Sequence, residues 1–308
     1  MRTGIPGTRL LARRSARASA LALALLVVAS ALLPALSPHR HDATDLATGA
    51  TPPSLSHPFG TDDLGRDLFV RVLFGCRISL AVAFVVTLLA LVIGVPWGAI
   101  AAYRGGRVDA AMMRVAQTVQ AAPFVVMIIL LEVFFARRGG ALHRAFATIV
   151  SPFVAHGADP AWFPVFRVLF LFVALGIFWW PSMARIVRGQ VLELRGRPFV
   201  EAARAAGAGH GAILRRHILP NALGPILAQA TLIVPEAMVA EATLSFLGLG
   251  TEEPLASLGS LVARGAEAMA LRPWLLVIPA LFLALVAFCI NVLGDALRDA
   301  LDPRARRR

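Results

Sequence analysis

Lysine is absent: all 30 basic side chains among the 308 residues are arginine. Without lysine there is no G-x-x-x-x-G-K-[ST] phosphate loop and no Schiff-base amine, so any ATP used must bind another chain. Charge is scarce at 16%, whereas 58% of residues are hydrophobic; soluble globular chains have about 25% and about 45–50%. That balance argues against a soluble enzyme, and hydrophobicity this high argues against disorder. Cysteine is limited to Cys76 and Cys289. Two are too few for a cysteine metal cluster, and they are expected at opposite ends of their helices, so no disulfide is expected.

What the chain has instead is long apolar runs. A helix needs about 20 mostly apolar residues to cross a ~30 Å hydrocarbon core. Six stretches qualify: Ala18 to Leu36, Ile78 to Tyr103, Val115 to Ala136, Val165 to Met183, Asn221 to Leu247 and Trp274 to Gly294. The expected fold is an all-α integral membrane protein with six transmembrane helices. The fifth stretch is the least apolar, since it holds Pro225, Pro235, Glu236 and Glu241. The formal charge of +12 and pI near 11.6 would first suggest nucleic acid. The arginines flank apolar runs, however, so membrane topology is the reading and no nucleic-acid partner is expected.

Arginine counting sets the orientation. With the N-terminus cytoplasmic, the inner side holds Arg2, Arg9, Arg13, Arg14 and Arg17 before the first span, and Arg104, Arg107 and Arg114 between the second and third. It also holds Arg185, Arg188, Arg195, Arg197, Arg204, Arg215 and Arg216, then Arg298, Arg304, Arg306, Arg307 and Arg308, making twenty of thirty. Both termini are therefore expected inside. The organisation is a cytoplasmic tail (1–17), a first anchor helix (18–36), an outer segment (37–77), a core of five helices (78–294) and a cytoplasmic tail (295–308). The first run is read as an uncleaved span: it is long for a signal peptide, and no small-x-small cleavage site precedes Pro38. Residues 137–164 read as an outer surface helix plus loop, and Trp162, Trp179, Trp180 and Trp274 as interface anchors.

The segment between the fourth and fifth spans, RIVRGQVLELRGRPFVEAARAAGAGHGAILRRHILPNALGPI, is far longer than a helical hairpin needs. Phe199 to Ala206 is rich in helix formers. Gly207 and Gly209 follow, where a helix can stop in a left-handed conformation. A second short helix is expected from Ala212 to Leu219, ended by Pro220. Ala202, Ala203, Ala205 and Ala206 leave a thin surface that another protein can approach closely. Glu201 suits the positive end of its helix dipole, or pairs with Arg204. The pair of helices reads as a cytoplasmic docking element.

Glu201-Ala202-Ala203, then Gly207, then Leu219-Pro220 resembles the E-A-A-x3-G-x9-I-x-L-P loop of bacterial ABC-importer permeases, with His217 at the isoleucine position. Three further blocks resemble the dipeptide/oligopeptide/nickel branch, and within it the second, C-type permease subunit. They are His57 to Asp62 with Leu64 to Asp67, Glu241 to Gly248, and Asn291 to Pro303. The resemblance implies a binding-protein-dependent permease of the bacterial cytoplasmic membrane, with no catalytic site and no cofactor. Its implied partners are a second permease subunit, two ABC ATPase subunits and an outer substrate-binding protein carrying peptides or similar small solutes. It also implies a coupling loop over 185–220, in which Glu201, Ala202, Ala203, Ala206, Gly207, Leu219 and Pro220 meet the ATPase.

Polar residues at hydrocarbon depth are candidates for the pathway or for contacts between helices: Gln117, Gln120, Gln229 and Glu241, with Glu132, Glu236 and Asn291 beside them. Pro123 and Pro235 are expected to kink their spans. Asp295, Arg298 and Asp299 read as an anchor. His39, His41 and His57 lack regular ligand spacing, so no metal site is expected. Ser245 and Ser257 have no histidine and aspartate partners nearby. The competing reading is an ion-coupled transporter with Glu132, Glu236 or Glu241 as proton carriers. The absence of an internal repeat disfavours it.

Overall fold

A computed structural model describes residues 13–136, 148, 163–251 and 253–301. Among these residues the regular structure is helical, apart from one antiparallel bridge between Thr61 and Asp67. Helix α1 spans Arg14–Leu36 and α2 spans Leu68–Arg104. An elbow follows, with α3 at Gly106–Ala121 and α4 at Phe124–Ala136. Then come α5 (Phe163–Leu194), α6 (Pro198–Ala205) and α7 (His210–Ile213). A π-helical turn, Leu214–Ile218, leads into α8 (Leu219–Phe246), with α9 (Leu258–Glu267) and α10 (Trp274–Leu301) after it.

Among the described residues four helices are long and apolar enough to cross a membrane: Arg14–Leu36, Leu68–Arg104, the continuous run His210–Phe246, and Trp274–Ala300. A fifth appears if α3 and α4, bent by 83° at their junction, count as one span. Pro123 causes that bend. It forces Ala122 into extended geometry (φ −68°, ψ 133°), because the residue before proline is disfavoured in the helical region.

Several helix boundaries differ from expectation. Helix α2 begins ten residues before Ile78, at Leu68, where the Asp67 side chain caps it by accepting from the Val70 N–H at 2.9 Å. Arg71 and Arg77 had lowered the hydropathy there, but a cap and a protein environment carry the helix through them. Helix α5 continues past Met183 to Leu194, and α10 past Gly294 to Leu301. Trp179 and Trp180 therefore lie inside α5 and not at its end. Trp180 is buried against Trp97, with ring centroids 4.9 Å apart. The expected outer helix at 137–164 lies almost wholly outside the described residues. Cys76 and Cys289 are both free and buried.

The core is organised around α2 and α5, which make the most extensive helix–helix contact. Gly94 and Gly98, four apart, let the backbones meet: a Cβ on Gly98 would sit 2.1 Å from the Ala184 carbonyl oxygen, and one on Gly94 would sit 2.6 Å from that of Trp180. Small residues at this spacing allow close packing between membrane helices, where apolar burial gives little driving force. Helices α8 and α10 complete the bundle, and α1 lies against α2 and α10. Arg13, at the start of α1, pairs with Asp299 near the end of α10 at 2.8 Å. The first and last described helices thus have their outer ends on the same side. The anchor role expected of Asp299 fits this contact.

Candidate functional site

The segment read as a docking element, residues 198–220, lies at the end of the bundle where α2 and α5 finish and α8 begins. Pro198 opens α6 at a position where its missing N–H has no helical partner to lose. The helix ends in a Schellman turn. Gly207 N–H donates to the Arg204 carbonyl at 3.0 Å, and Ala208 N–H to that of Ala203 at 3.0 Å. Gly207 adopts φ +81°, the left-handed geometry expected of it. Gly209 does not; it is extended (φ −67°) and starts α7 instead.

Val200, Ile213 and Ile218 are fully buried and fasten this segment to the bundle. Glu201, Ala202, Ala206 and Gly207 are exposed, and Ala203 is half-buried. Further bonds stiffen the mount. The Arg195 guanidinium donates to the Ala102 carbonyl at 2.9 Å, and Tyr103 Oη lies 3.0 Å from His210 Nδ1. One helix back, Arg188 holds Asp109 through two 2.7 Å bonds. Glu201 makes no ion pair with Arg204 among the described residues, so that alternative is not realised.

The expected second helix, Ala212 to Leu219, is corrected. It starts at His210 and does not stop at Pro220, which lies in the first turn of α8. The π turn at Leu214–Ile218 immediately precedes that proline. Wider i→i+5 bonding there lets the chain reach a residue that lacks an N–H without breaking the helix. Leu219 and Pro220 therefore belong to the root of α8, while Glu201 to Gly207 form the projecting tip. Helix α6 packs on α7 and the π turn, which links tip to root.

The intramembrane candidates separate. Glu241 is fully buried, and Ser79, Ser245 and Ser257 donate to it at 3.3, 2.9 and 2.6 Å. Ser257 and Ser260 form the capping box of α9. Glu241 is thus the hub joining α2, α8 and α9, a helix-contact role. Ser245 and Ser257 are its donors. Gln120 lines a cavity of about 1080 Å³ bounded by the α3–α4 elbow, α5, α8 and α10, and accepts a hydrogen bond from Arg185. Gln117 is exposed and Gln229 half-buried, and neither lines that cavity. Glu236 and Asn291 do line it.

At the opposite end lies a cluster that sequence reasoning did not assemble. Asp62 binds Arg66 at 2.8 Å, and Glu253 binds Arg71 at 3.1 Å and also pairs with Arg66 and Arg264. Arg71 is fully buried. Burial, followed by the neighbouring Arg71 and Arg66 charges, pushes Arg264 down to about 10, which still leaves it charged at neutral pH. Within the same segment Thr61 donates to the Gly49 carbonyl at 2.6 Å, and His57 Nδ1 lies 2.8 Å from Asp67 Oδ2. His39 joins that pair, with ligand-type atoms of His39, His57 and Asp67 all within 4.8 Å, so two of the three histidines do converge. The signal available in the sequence was the polar block His57 to Asp67. Its distant partner Glu253 carried no local mark.

A bundle of apolar helices with a braced, projecting loop at one end and a buried polar hub near the other defines a multi-pass helical membrane protein. The chain belongs to the binding-protein-dependent transport system inner membrane component family, whose pattern matches residues 94–307. It is 42% identical over 300 residues to the oligopeptide transport system permease protein OppC of Escherichia coli strain K12, covering 97% of this chain and 90% of that one. Similarity to OppC of Bacillus subtilis strain 168 is 41% over 285 residues, covering 92% and 84%. The dipeptide transport system permease protein DppC of the same organism is 39% identical over 300 residues, covering 97% and 85%. Among solved structures, an inward-facing form of the MetNI methionine ABC transporter superposes with a TM-score of 0.56 at 20% identity. That match covers 74% of this chain and 94% of the other, and it shows a shared fold.

Proposed function

We propose that the chain is one of two paired permease subunits of an ATP-driven importer for peptides or similar small solutes. Six helices cross the membrane: the five counted above plus α5, and both termini lie in the cytoplasm. The Arg13–Asp299 pair supports termini on one side, and the concentration of arginine at that end supports the cytoplasm as that side. Two separate ABC ATPase subunits supply the energy, and an outer binding protein delivers the solute. The peptide class rests on the OppC and DppC relatives.

One observation carries the coupling role. The helix holding Glu201, Ala202, Ala203 and Ala206 is exposed along its thin face yet pinned beneath by Val200, Ile213 and Ile218. A lever must be rigid on its own side and open on its partner's side. Motion received by α6 passes through the π turn into α8, at Leu219 and Pro220, and so reaches the wall of the cavity. The test is to reconstitute the chain with the second permease, the ATPases and the binding protein, and to measure peptide uptake. ATP-dependent uptake, together with cysteine crosslinks from Ala203 or Ala206 to an ATPase, is expected. Uptake by this chain alone under a proton gradient would replace this reading with ion coupling.

A further inference from the structure

The cavity between the α3–α4 elbow, α5, α8 and α10 has mostly apolar walls, with Phe124, Phe178, Leu232 and Val239 among them. Of its described lining side chains, Glu236 alone is ionisable. It stands ten residues before the end of α8 at Phe246. At 1.5 Å per residue that is about 15 Å in from the end of an apolar helical run long enough to cross a membrane. A carboxylate at that depth is costly and by default functional. Glu241, on the same helix, is absorbed by three serines and faces the packed interior. Glu236 is exposed to the cavity instead.

The surroundings of Glu236 are specific. The Trp179 indole Nε1 donates to Glu236 Oε2 at 2.9 Å. Phe124 meets the Trp179 ring edge to face, with centroids 5.6 Å apart, and that contact limits how the indole can turn. The carboxylate is therefore held in position by a neutral donor, with no cation among its described partners. A carboxylate has about four acceptor positions and the indole occupies one. The rest of the wall around it is apolar, aromatic or uncharged, so no other ionisable group competes for it among the described residues. An acceptor-only carboxylate on such a wall suits an ammonium group. The cavity is a groove open along one side, and its volume of about 1080 Å³, beside the ~300–1,000 Å³ of ordinary small-molecule pockets, leaves room for a short peptide to lie along it.

We propose that Glu236 is the charge-recognising residue of the translocation pathway, receiving the ammonium group of a peptide while the aromatic walls pack its apolar side chains. The proposal rests on reading this cavity as part of the pathway. It is a specificity role, since the same geometry would reject a carboxylate group and gain little from an uncharged end. Two sources supply such an ammonium, the peptide N-terminus and a lysine side chain.

The experiment uses the full importer in proteoliposomes with ATP, comparing the parent with Glu236→Gln. One substrate is a neutral-side-chain tripeptide with a free N-terminus, and the other is its N-acetylated form carrying one lysine. Loss of a charge-assisted contact predicts a fall of about tenfold or more in uptake of the first. A matching fall for the second assigns either ammonium, and no fall for it assigns the N-terminus. Co-purification of the two permeases must remain as in the parent. Unchanged uptake of both peptides, or a loss accompanied by loss of permease pairing, overturns the proposal, the latter by making Glu236 a subunit contact. Trp179→Phe, which keeps the ring and removes the donor, is the second variant should Glu236→Gln fail to accumulate. It is expected to lower uptake of the free peptide by a smaller factor, and no change at all counts against the proposal. The pathway reading is tested separately with Ser182→Cys in the cavity wall. Thiol labelling there should block uptake of every peptide, and labelling without block defeats the pathway reading whatever Glu236 does.

Discussion

The two ends of the bundle treat their polar residues in opposite ways. At one end Asp62, Arg66, Arg71, Glu253 and Arg264 pair with one another within the chain, leaving Arg71 Nε and Arg264 Nη2 without a hydrogen bond among the described residues, and Glu241 gathers three serine hydroxyls. At the other, Glu201 has no ion pair among the described residues, and Ala202, Ala206 and Gly207 face outward. The first arrangement is closed, so its residues are committed to holding the fold. The second is stiff underneath and empty on top, which is how a surface awaiting another protein should look. Damage at the closed end should therefore register as lost stability. Damage at the open end should register as lost transport in a protein that still folds.

The largest stability effect is expected at Arg71. Its side chain is fully buried and is bound to Glu253 at 3.1 Å. Arg71→Met removes the buried cation of this cluster; about 3–5 kcal/mol is typical where both partners are buried, and because Glu253 is 41% exposed and keeps Arg66 and Arg264 the expected loss is about 2–3 kcal/mol. A large drop in the thermal unfolding midpoint in detergent is the readout. Pairing it with Glu253→Gln in a double-mutant cycle should show clear coupling. Additive losses would mean that the cluster is not a cooperative clamp and that the contrast between the two ends is overstated.

Glu241→Leu comes next. It strands the hydroxyls of Ser79, Ser245 and Ser257 in a dry interior, at a cost of about 2 kcal/mol or more. Glu241→Gln keeps a carbonyl acceptor and should lose noticeably less. Equal losses for the two variants would show that the negative charge, rather than acceptor geometry, organises the hub.

How far the sequence alone reached follows the same division. The projecting loop around α6 was legible because its signals are local: an alanine-rich stretch, a glycine for the left-handed turn, a proline nearby. The Gly207 turn forms as read, and the break at Pro123 was legible for the same reason. The closed end was not, because its partners are far apart. Arg66 and Arg71 meet Glu253 across 187 and 182 residues, and no periodicity reports such a pairing. The block His57 to Asp67 stood out as a fingerprint, yet its physical work, tying the outer segment to α9, needed coordinates. The continuous passage through Pro220 was missed because a proline inside a helical pattern ordinarily ends it. The π turn that accommodates it has no sequence signature of its own.

The smallest stability effects, and the sharpest functional contrast, are expected at Gly207. Its φ of +81° suits glycine, and a Cβ placed there would have none of the described residues beyond its chain neighbours within 4 Å. The penalty for Gly207→Ala is therefore conformational, about 1–2 kcal/mol, and Gly207→Asn should cost less because asparagine tolerates the left-handed region. Gly207→Asp adds a charge to the same backbone and is expected to insert and unfold much as the asparagine variant does. If a partner packs on this tip, Gly207→Asp should abolish ATP-driven uptake while leaving membrane insertion intact, with Gly207→Asn intermediate. Should all three variants transport in proportion to their stability, Gly207 would be a backbone device alone and the docking surface would lie elsewhere. Should asparagine and aspartate both abolish uptake with the unfolding midpoint unchanged, the partner must approach the bare Cα closely, and the open end is open because something else fills it.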